Sequence, residues 1–329
     1  MNTDHLRAFV LSVDEGTFEA ASALLRIAGS AFSQRIKALE REVGQVLVTR
    51  TVPVRATPAG EELLRTARQM IMLEDEARRS LGFRQPEDAQ AVITLSVAVN
   101  ADSLHSWFQR VLQEAATWDD VELHLHAEDQ EHTHELLRSG TVAAAVTEHP
   151  VPVSGCRAVP LGTMRYWPVA SAELLERHGL RGPGGRASAG HAARHRDDGG
   201  AGTDRLDRAA SPAPADRRRW ERVPQVDYSI RDSLQRGGLR TLGVDQPRIT
   251  HLIPSVQAYN TAVWHGLGWG MIPEGMIPPG VMEGTHPDLV IVEEIGPVET
   301  ALHWQHWTTM TPAMERLTDA VLRGGARMR

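Results

Sequence analysis

The chain has 329 residues, 41% hydrophobic and 23% charged, with a formal net charge of −7. That is enough for two or three domains with ordinary cores, and it excludes a protein coated in basic residues. With no run of about 18 apolar residues and one cysteine, Cys156, the chain has no sequence for a spanning helix, an internal disulfide or a cysteine-based zinc site. Acids stand close behind the start, MNTDHLRAFVLSVDEG, where a signal peptide has a basic and then an apolar run. A reducing cytoplasm is the expected location.

Leu6, Phe9, Val10 and Val13 recur at helical spacing and predict an amphipathic helix over 3–14. Gly16 ends it, and Thr17 caps a second helix with Phe18, Ala21, Leu24 and Leu25 as its apolar stripe. After a break at 26–29, a third helix runs from about Ser30 to Val43. Ala31, Ile36, Leu39 and Val43 are expected inside, with Ser33, Gln34, Arg35 and Lys37 nearer the exposed side. The charge is uneven. Residues 1–25 carry one arginine against four acids, net −3, and residues 26–57 carry six basic residues against two acids, net +4. Two helices joined by a short turn, with polar and basic residues early in the second, form a helix-turn-helix layout. A basic stripe on an acidic chain is a phosphate-binding footprint. The stretch 44–58 has short β-prone runs around Pro53, spaced by Arg50 and Arg55, and reads as a two-stranded wing whose arginines reach phosphates or a minor groove. The alternative is a small helical bundle whose polar face meets water.

Phe18-Glu-Ala-Ala-Ser-Ala-Leu-Leu25, Ser30-Ala-Phe-Ser-Gln-Arg-Ile-Lys-Ala-Leu-Glu40, Leu47, Arg50 and Ala56-Thr-Pro-Ala-Gly60 resemble the LysR-type transcriptional regulators. Arg50-Thr-Val-Pro-Val-Arg-Ala-Thr-Pro58 is similar to the lysine- and arginine-responsive subgroup that controls basic amino-acid export. The resemblance implies a winged helix-turn-helix with DNA-contacting residues Ser30, Ser33, Gln34, Arg35, Lys37, Arg50 and Arg55. The family usually opens its recognition helix with Thr-Gln. Here Ala28-Gly29 stands instead, so a capping oxygen and a base-reading amide are missing, and a lost cap costs about 1 kcal/mol.

Between Gly60 and Gly82 there is no Gly or Pro, and Leu63, Leu64, Ala67, Ile71, Leu73 and Ala77 form an apolar stripe. A helix of about 24 residues spans roughly 36 Å. Its stripe packs either on this chain's own domains or on a second copy, as in a coiled coil. The resemblance implies the second, hence a dimer on a partly palindromic site. Gly82 and Gln85-Pro-Glu-Asp88 read as a hinge.

Strands are expected at 92–99, 121–126 and 142–147, alternating with helices at 102–116 and 131–139. A strand at 165–170 and a helix at 171–178 follow. Further elements are expected at 248–254, 255–266 and 269–272, with late strands at 289–294 and 300–307 and a closing helix at 312–323. Such alternation predicts a parallel α/β sheet with ligands at strand ends. Val99-Asn-Ala-Asp-Ser103, Glu128-Asp-Gln130, Gly155-Cys-Arg157, Met164-Arg-Tyr166, Gly266-Leu-Gly-Trp-Gly-Met-Ile-Pro273 and Thr318-Asp-Ala-Val321 resemble the same subgroup, whose effector domain has a two-lobed, periplasmic-binding-protein-like form. The expected fold class is therefore a mainly α winged helix-turn-helix with a long linker helix, plus an α/β two-lobed effector domain. The expected bounds are 1–58, 59–84 for the linker, 85–90 for the hinge and 91–329 for the effector domain. Lobe I covers about 91–160 and 267–329, and lobe II about 161–266.

A lysine or arginine effector needs donors for its α-carboxylate and carboxylates for its cationic end. Asn100, Ser103 and Ser255 are the donor candidates, and Asp102, Glu128, Asp129 and Glu148 the cation partners. For each carboxylate the alternative is a helix cap or solvated turn. His124, His126, His132 and His134 match no tight zinc motif and read as solvated or packing side chains, so no metal or cofactor is expected. Cys156 reads as a structural thiol, and Trp264 and Trp269 as packing residues.

Residues 181–219 hold nine Arg, nine Ala, seven Gly and five Asp, with Leu206 the only large apolar side chain. Such a stretch cannot bury enough surface to offset its ordering entropy. It is either an Arg-rich insertion that touches DNA or a partner, or a segment read out of frame between two compensating shifts. The Arg-, Ala-, Gly- and Pro-rich text of a shifted GC-rich frame favours the second.

No phosphate-binding glycine loop, G-x-S-x-G elbow or H-E-x-x-H motif is present, so no catalytic residue is assigned and an enzyme is not expected. The leading expectation is a regulator, dimeric or tetrameric, that binds double-stranded promoter DNA and senses a basic amino acid. By resemblance it activates an exporter gene through RNA polymerase and works away from the membrane. The alternatives are a LysR-type regulator of another effector class, a DNA-binding protein without ligand response, and a small-molecule binding module with no role on DNA.

Overall fold

The computed structural model describes residues 1–81, 92–127, 130–180, 218–230, 232–326 and 328. The expectations placed on the hinge, on Glu128 and Asp129, and on 181–217 lie outside these residues. The described chain forms two compact units, residues 1–163 with 301–329 and residues 164–300.

The first unit begins with the reading head. Helix α1 (Thr3–Asp14) starts at Asn2, whose side chain accepts from the Asp4 N–H at 2.8 Å. Helix α2 (Phe18–Leu24) starts at Thr17, whose hydroxyl oxygen accepts from the Ala20 N–H at 3.2 Å. Helix α3 (Gly29–Val43) starts at Ala28 with no side-chain cap, as the sequence implied, and stops at Gly44 with φ +77°. Strands β1 (Val48–Thr49) and β2 (Arg55–Ala56) pair antiparallel as the wing.

Leu6, Phe9, Ala21, Phe32, Ile36, Leu39 and Leu47 are fully buried together. The sequence pattern pointed Ala31 inward, but Ala31 is exposed and Phe32 takes its place. Adjacent helical positions point about 100° apart, so only one of the two faces the core. The Phe32 ring meets Phe18 at 5.3 Å and removes far more apolar area from water than a methyl group.

Helix α4 (Pro58–Ser80) follows. Its first turn presses on the wing so closely that a Cβ on Gly60 would lie 2.1 Å from the Leu47 carbonyl oxygen. Leu64 and Ala67 complete the head's core, while Leu73 and Leu81 are exposed. The first half of the stripe is therefore covered by this chain's own α1, and the second half is open in the single chain. Arg68 joins three segments. It ion-pairs with Asp14 and donates to the Ser139 carbonyl at 2.8 Å and the Thr141 hydroxyl at 3.3 Å.

The rest of the first unit is α/β. Strand β3 (Ile93–Ala98) pairs parallel with β4 (Val121–His126) and β5 (Ala144–Thr147). Between β3 and β4 the sequence predicted one helix over 102–116. Two short ones form instead, α5 (Ala101–His105) and α6 (Gln109–Ala115). Ser106, at φ −117° and ψ −106°, breaks the turn, and its hydroxyl bonds back to the Asp102 carbonyl at 2.6 Å. The break lets the adjacent Trp107 and Phe108 both be buried, edge to face at 5.5 Å, which one continuous helix face does not allow. Helix α7 (Gln130–Ser139) crosses from β4 to β5.

Two long strands, β6 (Cys156–Ser171) and β11 (Val298–Trp307), carry the chain out of the first unit and back. Because β11 returns antiparallel to β5, the sheet is mixed and not all-parallel as the alternation suggested. Helix α11 (Pro312–Gly325) closes the chain, with Thr311 as its cap and Pro312 at its first position.

In the second unit β6 pairs antiparallel with β9 (Gly270–Pro273) and β10 (Leu289–Ile291). Helix α8 (Ala172–Arg177) is capped by Ser171. Strand β7 (Gln225–Asp227) lies parallel to β8 (Thr250–Leu252). Helices α9 (Leu234–Thr241) and α10 (Val256–Trp264) complete the unit. Its core centres on Val169, Val226, Tyr259, Val263, Ile272, Val281 and Leu289.

Candidate functional site

On α3, Phe32, Ile36 and Leu39 hold the inner face, so Ser30, Gln34 and Lys37 form one exposed stripe at helical spacing on the other. Ser33 and Arg35 flank it half-buried. The Arg35 guanidinium stands 3.9 Å from the Asp4 carboxylate, a long contact that leaves it able to turn to another anion. Arg50, just after β1, and Arg55, in β2, are both exposed on the wing. The arrangement is a polar helix face beside a basic two-stranded wing, which suits a major groove and its flanking phosphates.

The effector candidates of the first unit gather at the C-terminal ends of its parallel strands. Asn100, Asp102 and Ser103 follow β3, and Glu148 follows the neighbouring β5. Ser103 is fully buried, yet among the described residues its hydroxyl has no hydrogen-bond partner. Asn100 occupies the capping position of α5 without making a capping bond, and its side-chain oxygen is buried and unpartnered. Buried polar atoms in this condition are uncommon, because each forfeits the hydrogen bond it had in water. Asp102 and Glu148 are half-buried and each has a polar or electrostatic partner. Ser255, in the second unit, is exposed and caps α10 by accepting from the Ala258 N–H at 3.4 Å.

The second unit holds polar residues that the sequence reading passed over. Gln225 and Asp227 on β7 and Gln235 on α9 are all buried. Burial first, and then the neighbouring Asp232 carboxylate, push the Asp227 carboxyl up to about 6, against weaker opposing effects of Gln225 and Arg236. The spacing signals only that Gln225 and Asp227 share a face, and not that the face is buried. Two polar residues two apart in a β-prone run share one strand face.

The remaining candidates have ordinary surroundings. Cys156 is buried, and burial pushes its thiol up to about 11, against a smaller opposing effect of Arg65, so it is unreactive near neutral pH. His124 lies 3.2 Å from Glu122, and that contact with the Thr94 bond holds the Glu122 carboxyl below its usual range. Among the described residues no three His, Cys, Asp or Glu side chains converge on a metal position. Trp269 is fully buried edge-to-face on Trp220 at 6.2 Å. A cavity of about 670 Å³ in the second unit is lined by Glu173, Glu176, Trp264, His265, His286 and Asp288. Its three carboxylates are exposed, so it is a wet hollow and not a desolvated cation site.

Residues 3–61 match the bacterial regulatory helix-turn-helix domain of the lysR family, and residues 89–326 match the LysR substrate binding domain. The chain belongs to the LysR family. It is 40% identical to the lysine export transcriptional regulatory protein LysG of Corynebacterium efficiens, over 99% of this chain and all of that one. ArgP from Mycobacterium tuberculosis superposes with a TM-score of 0.78 at 34% identity, covering 100% of this chain and 98% of that one. Full-length LysG from Corynebacterium glutamicum with bound effector arginine gives 0.72 at 36% identity, covering both chains completely. These relatives are transcriptional regulators and not enzymes, and the two-domain architecture is theirs. Among the described residues no helix is long and apolar enough to cross a membrane.

Proposed function

We propose that this LysR-type chain is a cytoplasmic transcriptional activator that senses lysine or arginine and controls an amino-acid exporter gene. The winged helix-turn-helix of residues 1–58 binds promoter DNA, with Ser30, Ser33, Gln34, Arg35 and Lys37 in the major groove and Arg50 and Arg55 on phosphates. The linker helix of 59–84 pairs with a second copy through the half of its stripe that holds Leu73 and Ala77, exposed in the single chain. The assembly is a dimer or tetramer. Residues 91–329 bind the effector. Asn100 and Ser103 donate to the effector's carboxylate, Ser255 adds a donor, and Asp102, Glu128, Asp129 and Glu148 neutralise its cationic groups. Effector binding shifts the oligomer between two geometries and changes DNA bending or contact with RNA polymerase.

The observation that carries this reading is the fully buried, unpartnered Ser103 hydroxyl at the end of β3. A buried hydroxyl that folding leaves unsatisfied is satisfied by a ligand or ordered water. The relatives named for lysine export, and the one solved with arginine, support a basic amino acid as that ligand.

The test is footprinting on the promoter of the exporter gene proposed as its target, with and without lysine or arginine, beside a transcription assay on the same template. The expected result is a protected, partly palindromic site whose footprint and transcript yield change with either amino acid. A footprint indifferent to both amino acids contradicts the sensing role, and no salt-dependent DNA binding contradicts the regulator reading as a whole.

A further inference from the structure

The second unit carries a buried cluster with more hydrogen-bond acceptors than donors. Gln225 and Asp227 lie two residues apart on one face of β7 and are 1% and 4% exposed. The Gln225 amide nitrogen donates to both Asp227 carboxylate oxygens, at 3.0 and 3.1 Å. Gln235, also 1% exposed, directs its amide nitrogen to the Val226 carbonyl at 3.0 Å and the Tyr259 hydroxyl at 2.6 Å. The Tyr259 hydroxyl in turn donates to the Met271 carbonyl at 3.3 Å.

These contacts fix which end of each amide is which. A carboxylate and a backbone carbonyl accept only, so each must face the NH2 group. Among the described residues the amide oxygens of Gln225 and Gln235 are then left buried with no donor. Among the described residues no Lys or Arg forms an ion pair with Asp227. Arg236 instead donates to the Ile230 and Asp232 carbonyls, at 2.8 and 2.9 Å. Asp232 adds a second carboxylate nearby, itself accepting from the Tyr228 and Leu234 N–H groups. A buried carboxylate whose one hydrogen-bonded neighbour, Gln225, itself keeps an open amide oxygen lacks a cation with several N–H donors. Asp227 also ends β7, parallel to β8, at the strand ends where open α/β sheets bind ligands.

We propose that Asp227, assisted by the amide oxygen of Gln225, receives the cationic side-chain group of a basic amino-acid effector. This rests on the sensing role proposed above and assigns to the second unit a cation-selecting carboxylate. An ammonium brings three donors and a guanidinium five, so either saturates the open acceptors. A neutral side chain of equal length leaves the carboxylate unpaired and buried, which is the physical basis for rejecting it.

The test compares arginine with its neutral isostere citrulline, and lysine with norleucine, by calorimetry on the full-length protein and on Asp227→Asn. The wild type is expected to prefer arginine to citrulline. In Asp227→Asn the affinity for arginine should fall at least about 30-fold, the lower end of the loss seen when one partner of a buried charge pair is removed. The arginine-to-citrulline ratio should approach one while promoter affinity is unchanged. Asp227→Glu keeps the charge and should keep the preference, which separates a cation partner from a residue needed only for packing. If Asp227→Asn does not melt cooperatively, the wild type alone decides. Its arginine affinity should fall as pH drops below about 6, where the carboxyl takes up a proton, while citrulline binding stays flat. An unchanged ratio in Asp227→Asn, or a wild-type affinity flat in pH, overturns the assignment to Asp227 alone. A wild type that binds neither basic amino acid overturns the sensing role with it.

Discussion

The reading head and the second unit use burial in opposite ways. In the head, the buried Ser12 and Ser22 hydroxyls are satisfied locally by the Phe9 and Glu19 carbonyls, at 2.7 and 3.0 Å, and apolar side chains from Leu6 to Ala67 fill the core. In the second unit, Gln225 and Gln235 stay buried with open amide oxygens, Gln225 beside the carboxylate of Asp227. A head that docks as a rigid body onto DNA has its shape completed by folding. A domain that responds to a small molecule leaves polar capacity that only the ligand fills, and holds it at a cost in stability.

The comparison breaks most sharply at Phe32. Phe32→Ala should destabilise the head by about 3–5 kcal/mol, whereas Ala31→Ser, one residue away and exposed, should change stability by less than about 0.5 kcal/mol. Thermal unfolding of the two variants checks both, and equal effects would show that the core is not built on Phe32.

Asp227→Asn probes the other side. The folded carboxyl is raised, so its contribution to stability is fully present below the unfolded value near 4 and lost as pH rises through about 6. Replacing it with the neutral amide should therefore stabilise the ligand-free protein at pH 7.5 by up to about 3 kcal/mol, with the gain vanishing near pH 4. Denaturant unfolding at the two pH values reads it, and a variant less stable at pH 7.5 would mean that the charge is already paired.

A smaller effect is expected at Ala28, where α3 lacks a side-chain cap. Ala28→Ser should supply the missing oxygen and raise the head's stability by about 1 kcal/mol, seen as a higher Tm. Smaller again, Arg55→Ala on the wing should weaken DNA binding evenly across sequences and lower the salt slope by about 0.9, the value for one phosphate contact. A slope equal to the wild type's would remove Arg55 from the phosphate set.

The head was largely legible in the sequence because its signals are local. The Leu6, Phe9, Val10 spacing, the Gly16 stop and the Thr17 cap all act within a few residues of the elements they define. What local pattern could not decide was which of two adjacent apolar residues faced inward, since the Phe18–Phe32 contact joins different helices. The same holds for α5 and α6, where burying both Trp107 and Phe108 outweighs helical continuity. Among the site residues, the strand-end positions of Asn100, Ser103 and Glu148 were readable, but the burial of the Ser103 hydroxyl is a product of packing. Ser255 shows the limit, because a helix-opening serine caps by accepting and keeps its O–H to donate, so the cap seen here does not separate the two readings. Asp227 was hidden for a different reason. Strand β7 has three residues and pairs with a strand that starts at Thr250, so neither periodicity nor neighbouring sequence reveals that its carboxylate is enclosed.

The measurement that bears most directly on the central claim is thermal unfolding of the intact chain with arginine, lysine, citrulline and norleucine in turn. At about 100 times its dissociation constant a ligand adds about 2.7 kcal/mol to the native state. Arginine and lysine should each raise Tm in a saturable way while their neutral counterparts do not at equal concentration. A cooperatively melting protein whose Tm ignores all four, or responds as strongly to the neutral pair, contradicts the sensing of a basic amino acid.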